Sequence, residues 1–327
     1  MIDLSTHYMG LSLPNPVVLS SSSLSAKLKG VCKAAEAGAG AIVLKSLFEE
    51  DIAGSLENSG MRVVSSHPEA EEYLSQLGMI LEPDAYLSLV EESTALLDVP
   101  VIASLNCYSE RWWTDYAERI ERVGADAIEL NLSPVALDVK TSAADRENKI
   151  IEMVKIARKT VKLPLAVKIG HDFSALPHLV NRLQKAGANS LTLFNRYYNI
   201  DIDIDKLILQ SGNSLSSREE FGPVLRWIGI ISDLTELDIA ASTGVYDAAD
   251  LIKVLLAGGN VAQFCSVLYR KGVGIIGSIL ADLKNWMETH SYSRISEFHS
   301  LLSLEDDKRN AFYQRVQYVK AIRGVTE

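Results

Sequence analysis

The ten residues GADAIELNLS, Gly124–Ser133, carry the reading on which the fold turns. A glycine opens them, a short and mostly apolar run follows, and the polar Asn131 and Ser133 close them. The glycine stands where a helix would place the residue after its last turn, a position that favours the left-handed backbone open to glycine. The residues before it, RWWTDYAERIERV (Arg111–Val123), set Trp112, Tyr116, Ile120 and Val123 at helical spacing, with Ser109 placed for an N-cap. A helix, a glycine stop and a short apolar strand form one unit of an alternating α/β pattern.

Three further segments share this design: GAGAIVLKS from Gly38, GANSLTLFNR from Gly187 and GGNVAQFCSV from Gly258. Between them lie four of a second design: NPVVLSSS from Asn15, VPVIASLN from Val99, LPLAVKIG from Leu163 and LDIAAST from Leu237. Three of these enter through a proline. The two designs alternate strictly and give eight strands. Helical patterns over 149–162, 174–186, 248–257 and 273–289 separate later strands. Apolar strands alternating with helices pair in parallel. Eight such units within 327 residues fit a closed (β/α)8 TIM barrel. An open doubly wound sheet is the alternative, but NPVVLSSSSLS lacks the G-x-G-x-x-G loop such a sheet would carry early.

Two long insertions interrupt the barrel, 48–83 after strand 2 and 197–220 after strand 6. Both fall among the βα loops, where long connections tend to be functional. In the second, Asp201, Asp203 and Asp205 alternate with isoleucines. A calcium loop would need Gly and Glu where Lys206 and Gly212 stand, so the segment is read as a half-exposed hairpin strand. The tail, Ser293–Glu327, reads as terminal helices over EFHSLLSL and DDKRNAFYQRVQYVKAIR. No linker divides the chain, so residues 1–327 are expected to form a single domain.

Composition narrows the function. Hydrophobic residues make up 47% and charged residues 23%, as in ordinary globular proteins. The net charge of −10 argues against nucleic-acid or anionic-membrane partners, which require a basic face. The three cysteines, Cys32, Cys107 and Cys265, show no C-x-x-C spacing, so no metal is expected and a reducing cytoplasm is the expected location. The first residues lack a basic stretch and a long apolar run, so they do not read as a signal peptide. No segment approaches the ~20 apolar residues of a membrane helix.

In a barrel of this kind the active site lies at the C-terminal ends of the strands. Read in order, those ends carry Ser20, Ser21 and Ser22; Lys45 and Ser46; Asn106 and Cys107; Asn131 and Ser133; Lys168; Asn195 and Arg196; Ser242, Thr243 and Gly244; and Cys265 and Ser266. Three amides and two lysines converge on one mouth, with no carboxylate at the strand ends. A single terminal Asn or Ser could do no more than satisfy loop backbone; the convergence suits an amide-bearing ligand with an anionic part. Thr243-Gly244-Val245 leads toward a helix and Cys265-Ser266 ends the next strand, so backbone N–H groups at both could cradle a phosphate.

These segments together resemble the FMN-dependent dihydroorotate dehydrogenase family, most closely its dihydroorotate dehydrogenase-like branch. The resemblance runs nearly end to end. MGLSLPNPVVLSSS resembles the family's opening, AIVLKS its second strand, ELNLS its fourth, LAVKIG its fifth, and STGVYDAADLIKVLLAGG with FCSVL its phosphate end. SLNCYSERWW, LFNRYYNIDIDIDK and LSSREEFGPVLRW resemble the branch. The resemblance implies FMN as cofactor and oxidation of a dihydropyrimidine, such as dihydroorotate to orotate in pyrimidine biosynthesis. It implies that Ser20 and Ser21 border the flavin, Lys45 and Ser46 touch its ring, and Lys168 faces the side where negative charge builds. Asn131 and Asn195 would bind substrate, joined by Lys45 and Arg196, with Asn106 and Asn131 also near the flavin. Thr243, Gly244, Val245, Cys265 and Ser266 would hold the phosphate. A soluble electron acceptor and a homodimer are implied by the same analogy.

The chain departs from the family at two places. The loop after strand 4 reads NLSPVALD where the family has NLSCPN or NFSSPN, so Pro134 stands where the base would be. After strand 2, SGMRVVSSHPEAEEYL replaces the family's substrate-gripping segment. Ser133 is then a candidate base, with Cys107 as an alternative if Lys168 lowers its thiol pKa, and Tyr197 and Tyr198 as candidate acids. Two other readings compete: a Schiff-base lyase using Lys168 or Lys45, and a flavin-binding protein without catalysis.

Overall fold

A computed structural model describes residues 2–49, 51–52, 83–108, 113–132, 137–196, 200–211, 215–304 and 311–324. Eight parallel strands close on themselves: β1 (Val17–Leu19), β2 (Ala41–Val43), β3 (Val101–Asn106), β4 (Ala127–Leu132), β5 (Leu165–Ile169), β6 (Ser190–Leu193), β7 (Asp238–Ser242) and β8 (Val261–Phe264). Each pairs with the next in chain order, and β8 returns to β1 through Gln263 opposite Val18. The expected TIM barrel is the observed one. All eight strands are those the two alternating sequence designs mark.

The repeat is visible in the backbone. Gly38, Gly124, Gly187 and Gly258 have φ of 100°, 92°, 103° and 99°, the left-handed conformation that ends the preceding helix. At Gly187 a side chain is doubly excluded, because a Cβ there would lie 2.5 Å from Cγ of Arg158. Two residues after each glycine the chain turns into the strand in a repeated pattern. The N–H groups of Gly40, Asp126, Asn189 and Asn260 donate to the carbonyls of Val17, Val101, Leu165 and Ile239 on the preceding strand. Asp126, Asn189 and Asn260 also return a side-chain oxygen to the N–H of Val101, Leu165 and Ile239, at 2.8–2.9 Å. Gly40 has no side chain to offer, and Asn15 takes its place, accepting from Val17 N–H at 3.0 Å. The lower rim therefore satisfies its backbone from within, in four matching units.

Strand register fixes the interior layers, four side chains from alternate strands in each. From the bottom they read Ala41, Ala127, Ser190, Val261; then Val18, Ile102, Ala166, Ala240; then Val43, Glu129, Thr192, Gln263; then Ser20, Ser104, Lys168, Ser242. Four alanines in the two lowest layers leave space that strand side chains do not fill. An antiparallel hairpin, Thr6–Tyr8 with Leu11–Leu13, fills it from below, placing fully buried Tyr8, Met9 and Leu13 against them. The Tyr8 hydroxyl lies 3.3 Å from Thr192 Oγ1. Burial, then the charge of Glu129, pushes the Tyr8 phenol well above its usual pKa range.

The surrounding helices are α1 (Leu28–Glu36), α2 (Pro83–Leu96), α3 (Trp113–Arg122), α4 (Ala143–Thr160), α5 (Leu176–Ala186), α6 (Phe221–Ile231), α7 (Ala248–Leu256), α8 (Ser266–Lys271), α9 (Ile275–Thr289) and α10 (Ala311–Arg323). α4 starts six residues earlier than its apolar periodicity suggests. Its first turn is held instead by a capping box, in which Ser142 Oγ accepts from Asp145 N–H and Asp145 accepts from Ser142 N–H. In α3 the fully buried tryptophan is Trp113; Trp112 and Ser109 lie outside the described residues.

The insertion after β6 forms an antiparallel hairpin, Ile200–Asp203 with Ile208–Ser211, as its Ile/Asp alternation requires. The insertion after β2 begins with Leu47–Phe48, which pairs with the end of β3; residues 53–82 lie outside the described residues. The tail corrects the sequence reading. EFHSLLSL is not a helix: a 3-10 turn spans Ile295–Glu297 and irregular turns follow, with Ser300 and Leu302 N–H bonded to Leu255 and Leu256 carbonyls. Docking to the end of α7 outweighs local helix formation there. The second expected terminal helix is α10.

Candidate active site

The upper end of the barrel opens into a cavity of about 530 Å³, within the range of small-molecule and cofactor sites. Of the sequence-assigned residues, Ser20, Ser21, Lys168, Asn195, Arg196, Thr243, Gly244, Val245, Cys265 and Ser266 line it. Two assigned residues that do not line it are joined to ones that do. Ser46 Oγ lies 3.1 Å from Ser21 Oγ, and Asn131 Oδ1 accepts from Asn195 Nδ2 at 2.9 Å. Lys45 and Asn106 are partly exposed at the same rim. Cys107 is 2% exposed and belongs to the apolar cluster outside the strands. Ser133, Pro134, Tyr197 and Tyr198 lie outside the described residues.

One end of the cavity carries strained backbone and a helix start that could hold an anion. Thr243 and Gly244 both have φ of 78°. For the β-branched Thr243 this is a strained conformation, of the kind that clusters at functional sites. Thr243 Oγ1 holds it by donating to the Phe194 carbonyl at 3.0 Å. A Cβ at Gly244 would collide with the Phe221 backbone. The neighbouring strand end begins α8 at Ser266; the Ser266 and Val267 N–H groups precede the first helical acceptor, while Leu268 N–H already donates to the Cys265 carbonyl at 2.9 Å. Between these loops stands a residue the sequence reading missed. Ser216, 4% exposed, accepts from Gly244 N–H at 3.3 Å and lies 2.8 Å from Ser266 Oγ. Its signal was the LSSREE segment, which is local polar sequence with no period; only the fold brings it to the cavity.

α7 corrects one expectation. It begins three residues beyond Val245, and its cap is Asp247, whose side chain accepts from Asp250 N–H while pairing with Arg218 at 2.6 Å. The helix therefore offers its N-terminus to a carboxylate. The groups that could cradle an anion are the Thr243–Gly244 loop, Ser216 and the start of α8.

The other end carries charge. Lys168 Nζ donates to Gln263 Oε1 at 3.1 Å and to Ser20 Oγ at 3.4 Å, and lies 3.7 Å from Glu129 Oε1. Glu129 is 1% exposed and sits one layer below the strand ends. Its Oε2 accepts from Thr192 at 3.0 Å and Gln263 at 2.5 Å. The sequence reading found no carboxylate at the strand ends and stopped there. The period of two in AIELNL puts Glu129 on the same face as Asn131, and that signal was sufficient to find it. The thiol that feels Lys168 is Cys265, raised by burial while Lys168 and Ser22 pull it down. Arg196, also at the cavity, pairs with Glu220 at 3.0 Å.

This set of groups fits a flavin mononucleotide. It offers an anion cradle for a phosphate, a buried ammonium for a ring that gains negative charge, and an amide pair above. Among the described residues no group of three or more His, Cys, Asp or Glu could hold a metal ion. No described helix is long and apolar enough to cross a membrane.

Comparison with known proteins agrees with this geometry. Residues 3–287 match the family model described as dihydroorotate dehydrogenase. The chain is 24% identical over 303 residues to the catalytic subunit of dihydroorotate dehydrogenase B (NAD(+)) of Thermoplasma volcanium, covering 91% of this chain and 97% of that protein. It is 25% identical over 296 residues to the Pyrococcus furiosus protein of the same name, covering 89% and 96%. It is 24% identical over 306 residues to that of Methanocaldococcus jannaschii, covering 87% and 94%. A family match across most of the chain, on a barrel whose mouth carries this cradle and this lysine, shows that the chain belongs to the dihydroorotate dehydrogenase family of flavoproteins.

Proposed function

We propose that the protein is an FMN-dependent oxidoreductase that desaturates a dihydropyrimidine-like acid, with dihydroorotate the first candidate. The observation that carries the reading is the cavity with an anion cradle at Gly244, Ser216 and Ser266 and an ammonium, Lys168, at its other end. Bound FMN would supply the hydride acceptor. Thr243, Gly244, Val245, Cys265 and Ser266 would hold its phosphate, and Ser20, Ser21, Lys45, Ser46 and Asn106 would border the ring. Lys168 would stabilise the negative charge that reduction brings, through a charge already fixed in place.

Asn131 and Asn195, hydrogen-bonded to each other, would hold the substrate's amide edge, and Lys45 and Arg196 its carboxylate. Removing the substrate proton would fall to Ser133; Cys107, expected as the alternative, is buried in the apolar cluster and does not line the cavity. Lys168 is held as an ion pair with Glu129, which disfavours the lyase reading, because a Schiff base needs a free neutral amine. The relatives' names, catalytic subunits of an NAD(+) enzyme, support an acceptor reached through a second polypeptide; a freely diffusing acceptor remains the alternative outcome. A cytoplasmic homodimer completes the reading.

The test is the visible spectrum of gently purified protein, followed by anaerobic titration with dihydroorotate and related dihydropyrimidines. A flavin absorbance that bleaches with one of them supports the proposal. A colourless protein whose melting is unchanged by added FMN overturns it. A coloured protein that none of them bleaches removes the substrate class and leaves the cofactor.

A further inference from the structure

We propose that Glu129 is a positioning residue that governs how much of the Lys168 charge a bound flavin experiences, and thereby holds down the flavin's reduction potential. This rests on the flavin reading above.

Glu129 is 1% exposed inside the barrel, one layer beneath the cavity. Of the other three residues in its layer, Val43 is apolar and Thr192 and Gln263 are neutral, so Glu129 is the one charged group there. A buried carboxylate is costly unless paired, and this one is paired in a specific way. Its Oε2 is occupied by Thr192 and Gln263. Its Oε1 has no hydrogen-bond partner and faces Lys168 Nζ at 3.7 Å. Gln263 ties the two charges together, donating to Glu129 and accepting from Lys168. The amide thus fixes the ammonium from below while the carboxylate offsets its charge.

The electrostatic consequence has a definite sign. Lys168 contributes +1 and Glu129 −1, so the pair is neutral overall. Placing electrons on a flavin in the cavity adds negative charge close to both. The ammonium favours reduction, and the carboxylate beneath it opposes it, undamped by bulk water in this enclosed interior. Replacing Glu129 by a neutral group of the same shape leaves the ammonium uncompensated. Reduction then becomes easier, and anions bind the oxidised flavin more tightly.

The experiment compares flavin-loaded wild type, Glu129→Gln and Glu129→Asp, measuring midpoint potential and the dissociation constant for sulfite. Glu129→Gln is expected to raise the two-electron equilibrium constant for reduction about tenfold, a shift of ~30 mV, and to lower the sulfite dissociation constant by a similar factor. In a Lys168→Met background the same change should move neither quantity, since a buried carboxylate deprived of its ammonium partner takes up a proton and leaves no charge to remove. Glu129→Asp keeps the charge but withdraws it by one methylene, and should shift both in the same direction by less. This variant decides the matter if Glu129→Gln does not fold. An unchanged or lowered potential with the flavin bound overturns the inference. So does a shift of equal size in both Lys168 backgrounds. A wild-type protein carrying no flavin is a separate result, because it overturns the cofactor reading itself.

Discussion

The two ends of the barrel obey different rules. At the lower end four units repeat the same join: a left-handed glycine, then an N–H two residues on that donates to the preceding strand, with a side-chain oxygen returned in each, from Asn15 where Gly40 has none. At the upper end no two strands finish alike. Their terminal residues are serine, lysine, asparagine, threonine and cysteine, one of them strained, most of them lining a cavity or bonded to residues that do. The lower rim bonds its polar groups to strand backbone, whereas the upper rim bonds many of them to one another around the cavity. Between the two the interior changes from alanine and valine to Glu129, Lys168 and Gln263 within two layers. A closed barrel separates stability from chemistry in this way because loops at the two ends do not constrain each other.

That contrast can be tested by injuring each end. Tyr8→Ala removes the plug side chain, 0% exposed, from beneath the barrel. It should cost about 3–5 kcal/mol in denaturant unfolding, as for large aromatic-to-alanine changes in cores, while FMN affinity of the folded fraction stays unchanged. Gly244→Ala injures the top. A Cβ there meets the Phe221 backbone at φ 78°, so FMN affinity measured by fluorescence should fall about a hundredfold, ~2.7 kcal/mol. A smaller loss of affinity than of stability would break the contrast.

Asp126→Ala deletes one acceptor of the lower rim and leaves Val101 N–H, bonded at 2.8 Å, without it. About 1–2 kcal/mol of stability should be lost, with flavin potential unmoved. The smallest effect is expected from Ser142→Ala at the start of α4, about 1 kcal/mol as for other N-caps. This one carries a pH signature. The Ser142 hydroxyl, then its backbone N–H, hold the Asp145 carboxyl below its ordinary 3.8. A carboxyl lowered in the folded state contributes stability above its unfolded value and loses it as pH falls through the folded one. The gap between wild type and Ser142→Ala, followed by thermal melts, should therefore narrow as the pH drops below about 4.

What was legible in the sequence follows the same division. The lower rim was legible because it repeats: four glycines and three prolines at fixed places relative to apolar runs mark seven of the eight strands, and the alternation supplies the eighth, LDIAAST. The hairpin at Ile200 was legible because its period of two is unbroken. EFHSLLSL misled, since its apolar spacing is helical but its backbone is bonded to the end of α7. Glu129 was legible in the alternation with Asn131, which puts both on one strand face, but it lies a layer below the strand ends where the other polar residues gather. Ser216 could not be found by pattern. It belongs to the connection before α6 and meets Gly244 and Ser266 only across the barrel mouth.

By itself the sequence determined the number and order of strands, their parallel pairing and the end at which polar residues gather. These follow from glycine and proline chemistry and from hydrophobic period, which act over a few residues. Tertiary structure alone decided that the N-terminal hairpin plugs the alanine-lined floor and that Glu129 and Lys168 share one buried site. Each of those depends on groups far apart in the chain meeting where water is excluded, and no local pattern encodes such a meeting.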